Sequence, residues 1–279
     1  MRDKRGFLIA IATLLIAITA LSTMYTYMEI YVFYLSMKKK VIILEEIDRK
    51  SINVADIQFH LLSQTLFDEV KKASRKCLNK KDLVKNIRIE YMKSTTQIWS
   101  QKEYEKYLCI ENKSLIFKVV GIYIREYKSI EKSNTYRIVD GENIYPRSLC
   151  SIMEINFFYN NTEYGVFYEK NETLIACMPL RYLKLYNIGY DIISRLQNKE
   201  FSYSTSPRDF VEKYIFSDIE KDGIAAEYSI TCVPRKDAYY VCMLDFSLID
   251  IYAKKSGATV YRVKFPRVKF YYEEKTEEG

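Results

Sequence analysis

Six cysteines are the residues of this chain best suited to covalent chemistry: Cys77, Cys109, Cys150, Cys177, Cys232 and Cys242. No two form a CxxC pair, so their spacing points away from a zinc or redox motif and toward disulfides. Cys232 and Cys242 flank the stretch ITCVPRKDAYYVC, two β-rich arms around a turn signal. A hairpin turning at 235–238 brings them opposite one another. Cys150–Cys177 and Cys77–Cys109 are then the natural remaining pairs, among about 15 connectivities open to six cysteines. An even count fits an oxidising exterior; six buried thiols are the alternative.

Other groups give little sign of catalysis. The one histidine, His60, sits in a long helical stretch beside the apolar stripe, with no obvious acid or nucleophile partner, and reads as a surface or packing residue. Glycine-rich nucleotide loops and the GxSxG elbow are absent. The acidic pairs Glu45-Glu46 and Glu273-Glu274 read as a helix surface and a solvated tail. The expectation is a protein that is not an enzyme, with no catalytic residue, metal site or cofactor. Net charge is +7, but 43 basic residues are interspersed with 36 acidic ones, without the clustered modules of a nucleic-acid binder. No nucleic-acid partner is expected.

Three N-glycosylation sequons begin at Asn112, Asn160 and Asn171. All three fall after the N-terminal apolar run, on the same side of it as the cysteines.

That run dominates the elements that must position everything else. Phe7 to Met28 holds 22 residues without a charge, and a bilayer core needs about 20 as helix. Arg2, Lys4 and Arg5 precede it, and Lys38, Lys39 and Lys40 follow, the flanks of a membrane helix. Small residues such as Ala10, Ala17 and Ala20 recur along it, and such residues let helices approach closely in lipid. Tyr25, Tyr27, Tyr31 and Tyr34 gather around Glu29, the first charge after the run, as at a membrane interface.

Lys4-Arg5-Gly6 followed by Phe7-Leu8-Ile9-Ala10 resembles the prepilin-type signal of the type IV pilin superfamily, the class III signal peptide of archaea. The resemblance covers about the first 35 residues. It implies that a prepilin-type peptidase cuts between Gly6 and Phe7. The helix then remains in the membrane until other pilin or surface subunits take it into a filament core. Bacterial pilins usually carry Glu at the fifth mature position, where this chain has Ile11, and many archaeal subunits carry Gln at the third, here Ile9. The resemblance therefore implies an archaeal pilin-like or minor subunit, or an unprocessed anchor.

No Gly or Pro interrupts the chain between Gly6 and Gly121. Ile52, Ala55, Phe59, Leu62, Leu66, Val70, Ala73 and Cys77 step by threes and fours along one helix face. One rod from Phe7 to Cys77, or two helices bent near Lys38–Lys40, both fit. Lys81 to Ile98 reads as a further helix, and Gln101 to Leu108 as a short one behind a capping box. From Ser114 the texture turns aromatic and β-branched with turn signals between runs, which predicts strands. Ser206-Pro207 opens a helix reaching about Lys221. The fold class is α+β, a long N-terminal helix leading into an antiparallel β-sheet head with a few helices.

The organisation expected is residues 1–6 as leader, 7–36 as transmembrane or filament-core helix, 37–110 as helical stalk and head-packing helices, and 111–279 as the β-rich extracellular head. The function expected is a membrane-anchored pilin-like surface subunit, minor or tip type, with its N-terminus cytoplasmic and its head outside for adhesion or filament assembly. The alternative is a single-pass signal-anchored surface protein whose head binds a ligand or partner without polymerising.

Overall fold

A computed structural model of the protein describes residues 2–98, 108–127, 136–138, 148–236 and 239–275. The short helix expected over Gln101 to Leu108 and the turn at Asp140-Gly141 lie, wholly or nearly so, outside these residues. The fold is α+β: a long N-terminal helix is followed by sheets that are mostly antiparallel and by a few shorter helices.

Helix α1 runs unbroken over Arg2–Lys76, one helix and not two divided near Lys38–Lys40. It stops where Cys77 takes a positive φ of 52°, the left-handed turn that commonly ends a helix. Helix α2 spans Lys80–Ile98, with Leu83, Ile87 and Tyr91 buried at four-residue spacing.

Two sheets and one small hairpin follow. Strands β1 (Cys109–Ile110) and β2 (Lys113–Ser114) pair antiparallel across Glu111 and Asn112, both at positive φ, the requirement of a tight two-residue hairpin. Strands β3 (Ile116–Tyr127), β4 (Tyr136–Ile138), β5 (Ser148–Asn161) and β6 (Val166–Met178) form a sheet of order β3-β5-β6-β4. The runs EYGVFYEK and ETLIACM, separate by texture, meet in the one strand β6, with Glu163, Tyr164 and Gly165 left in the turn at 162–165.

Helix α3 (Tyr182–Leu196) leads to β7 (Glu200–Tyr203). Helix α4 (Pro207–Phe210) is capped by the Ser206 hydroxyl, which accepts from the Asp209 N–H, and continues as a π-turn over Val211–Phe216. The second sheet is built on β8 (Ile224–Lys236) and β9 (Tyr239–Asp250), which pair antiparallel along their length. After helix α5 (Ile251–Lys255), β10 (Arg262–Lys264) and β11 (Val268–Glu274) lie in succession along the other edge of β9. Pro266 falls between them, where its missing N–H removes no ladder bond. Strand β7 closes the sheet, parallel to β11.

The chain forms two compact units. The first takes Met1–Asn53, Tyr104–Phe117 and Phe157–Lys170. In it Ile43, Ile47, Leu108, Ile110, Leu115, Phe157 and Tyr159 are buried. The Tyr159 hydroxyl donates to the Ile110 carbonyl at 3.0 Å, and the Asn161 carboxamide accepts from the Glu163 and Tyr164 N–H groups to shape the turn.

The second takes Val54–Glu103, Lys118–Asn156 and Asn171–Gly279. Here α1 buries Val54, Ala55, Leu62, Leu66, Val70 and Ala73, with Gln58 and Glu69 in the same stripe. Tyr91 of α2 donates to the Gln58 carboxamide, and Arg88 Nε donates to the Ile122 carbonyl of β3 at 2.8 Å. Over the second sheet Phe201, Tyr203, Phe210, Tyr214, Phe270 and Tyr272 pack in a ring cluster with centroids about 5–6 Å apart.

Candidate functional site: the exposed apolar helix

The N-terminal half of α1 is the part of the molecule whose chemistry is least at home in water. From Phe7 to Met37 every large apolar side chain is between 38% (Ile11) and 70% (Tyr27) exposed. The first buried one is Ile43. Leaving a single large apolar side chain in water forgoes about 1.5–3 kcal/mol of burial, and an apolar surface this continuous marks an interaction site. One stretch of α1 is long and apolar enough to cross a membrane, and none of its most apolar window is buried. That separates it from the core helix of a soluble protein.

Four of its threonine hydroxyls are settled internally. Thr13, Thr19, Thr23 and Thr26 each donate a hydroxyl hydrogen bond to a carbonyl four residues earlier, at 2.6–3.0 Å. A helix with its backbone bonded within itself satisfies the main demand of a hydrocarbon environment.

Where the helix meets the other segments of the first unit, Lys39 makes its own contacts. Lys39 Nζ lies 3.9 Å from the centre of the Tyr164 ring and 3.8 Å from a Glu111 carboxylate oxygen. The Tyr164 side chain, and then Glu111, hold the Lys39 ammonium above the usual lysine range. About three turns on, Lys50 Nζ donates to the Cys109 carbonyl at 2.7 Å and pairs with Glu46 at 2.9 Å.

A buried charged cluster in the second unit is of another kind. Arg181 and Asp250 are each about 2% exposed and pair through two hydrogen bonds, Nε to Oδ2 at 2.9 Å and Nη2 to Oδ1 at 2.7 Å. Two more guanidinium hydrogens go to the carbonyls of Asp222 and Gly223. Asp250 also accepts from the Arg181 N–H and caps α5 by accepting from the Tyr252 and Ala253 N–H groups. With five hydrogen bonds received, its carboxylate has no free lone pair for proton transfer. The cluster is a clasp joining three loops. Gly223 is needed there: its φ is +68°, and a Cβ would stand 2.3 Å from the Tyr252 ring.

Beside it, Glu126 of β3 accepts from the Leu183 and Lys184 N–H groups and so caps α3 from a distant strand. Burial raises its carboxyl above the usual glutamate range, against the lowering effect of those two bonds.

The cysteines resolve into two disulfides and two free thiols. Cys150–Cys177 and Cys232–Cys242 are bonded, with Cα–Cα distances of 4.0 and 4.1 Å. Cys232 lies directly opposite Cys242 in the β8–β9 ladder, so that bridge joins facing residues of neighbouring antiparallel strands. The expected Cys77–Cys109 bridge is absent: both are free. Cys77 closes α1 in the second unit, while Cys109 is exposed on β1 in the first. Burial pushes the Cys77 thiol up to about 11.

Asn112 is exposed in the β1–β2 turn and Asn160 near the end of β5. Asn171 is exposed mid-strand in β6, and its carbonyl oxygen accepts from Asn156 Nδ2 at 2.8 Å. His60 is exposed on α1, edge-on to Phe59. Gly6 and Phe7 both lie within α1.

Three features were missed in the sequence: α3, the Arg181–Asp250 clasp and the Glu126 cap. Helix α3 had a usable signal, since Tyr182, Leu185, Ile192 and Leu196 fall at helical spacing. The other two had none, because their partners are 69 and 57 residues apart. Comparison of the chain with protein-family models, with curated proteins and with solved structures returns no match.

Proposed function

We propose that the chain is a membrane-anchored, pilin-like surface subunit of the minor or tip type, whose α+β head is displayed outside the cell for adhesion or filament assembly. The observation that carries this reading is the exposure of every large apolar side chain from Phe7 to Met37, on the helix whose C-terminal half is built into the fold. A bilayer or a bundle of like helices is the environment that covers such a surface. Both disulfides lie beyond the apolar stretch, which supports an oxidising exterior on that side. On this reading a prepilin-type peptidase removes Met1–Gly6, and Phe7 becomes the new N-terminus.

Ile11 in the place of the usual glutamate favours a second reading, a single-pass anchor that stays intact and does not polymerise. The intact mass of the chain recovered from its own cells separates the two. Loss of residues 1–6 is expected; an intact start overturns the pilin-like reading in favour of the anchor.

A further inference from the structure

A cleft of about 410 Å³ in the second unit is lined on one side by α1 and on the other by β10 and its approach. Lys71 and Arg75 stand one turn apart on α1. Arg262 and Lys264 are exposed on one face of β10, with Val263 buried between them on the other. Ser247 lies opposite Lys264 in the ladder, and Thr259 completes the polar lining.

Four cations thus converge from two elements, and among the described residues no carboxylate lines the cleft. Two carboxylates outside the lining act on it: Glu227 lies 3.5 Å from Arg262, with both side chains about 60% exposed, and Asp245, paired with Arg267, also feels Lys264. An exposed pair of that kind contributes little and leaves most of the positive potential in place. Lysine and arginine side chains held together repel one another until an anion neutralises them. Two planar guanidinium forks, two ammonium groups and nearby hydroxyls match the many acceptor oxygens of a phosphate better than the two of a lone carboxylate.

We infer that this cleft binds a compact anion carrying two phosphate groups, with room beyond them for an organic moiety. The inference goes beyond the anchoring reading and does not depend on it, because every residue involved belongs to the second unit.

Inorganic pyrophosphate is the probe, titrated by calorimetry into the full chain held in non-ionic detergent at low salt. Saturable binding is expected, weakening as salt is added. The double variant R262A/K264A is expected to bind at least tenfold more weakly, and so is K71A/R75A on the other wall, with circular dichroism unchanged in both. Lys213→Ala, an exposed basic residue outside the cleft, is expected to stay within twofold of the parent. Absence of saturable binding, equal loss in the Lys213 variant, or citrate binding as tightly as pyrophosphate would each overturn the proposal.

Discussion

Asp250 shows how one side chain can hold several segments at once. It pairs with Arg181, starts α5, and through the arginine fixes the carbonyls at 222 and 223. Removing one partner of such a pair strands a buried charge, at a cost of about 3–5 kcal/mol. Asp250→Ala is therefore expected to unfold the second unit at much lower denaturant concentration. A midpoint within error of the parent would refute the clasp.

Glu126 makes a prediction of opposite character. Its carboxyl titrates higher in the fold than in the unfolded chain. The stability it contributes is fully present below the ordinary glutamate value of 4.5 and is lost as pH rises through the raised one. Glu126→Gln keeps the shape and removes the titration. Its melting temperature is expected to fall less than the parent's between about pH 4 and 7; identical pH profiles would show that Glu126 does not contribute to this pH dependence.

At the scale of elements, hairpins and close packing carry the stability. The two disulfides close loops between residues 27 and 10 positions apart, for which chain entropy gives about 3 kcal/mol each. Reductant is expected to lower the melting temperature of the full chain, and the double variant C150S/C177S should reproduce part of that drop without any reductant. Indifference to both would mean that the sheets hold without the bridges. Helix α3 packs its Gly189 directly onto the ring of Phe265, where a Cβ would come within 2.1 Å. That ring is itself stacked on Phe246 at 4.9 Å and has little room to move. Gly189→Ala is expected to destabilise by about 1–3 kcal/mol through overpacking, despite the better helix propensity of alanine. An unchanged or raised denaturation midpoint would show that the ring can yield.

At the scale of the whole molecule, one helix has two environments. Its first half is apolar on every side, whereas its second half is apolar along one stripe. If a bilayer covers the first half, the chain partitions with membranes and resists alkaline extraction. Leu15→Lys together with Ile16→Lys, mid-run, should release a large fraction, since each lysine at a helix centre costs about 2.5–3.5 kcal/mol. Retention of the double variant in the membrane pellet would argue against a spanning helix.

Local pattern determined much of this protein. The apolar run and its charged flanks, the breaker-free rod to Cys77, the α2 stripe, the Ser206 cap and the facing cysteines of the β8–β9 hairpin are all written within a few residues of where they act. Periodicity erred where a polar residue occupies a buried position: Ile52, counted in the stripe, is 47% exposed, while Gln58 and Glu69 are buried. Only the tertiary structure decided the rest: the long-range capping of α3, the arginine clasp, the two free thiols and the basic cleft between α1 and β10. Hydrogen bonds and charges act over a few ångströms of space, and spacing along the chain carries no record of which distant strand will supply the partner.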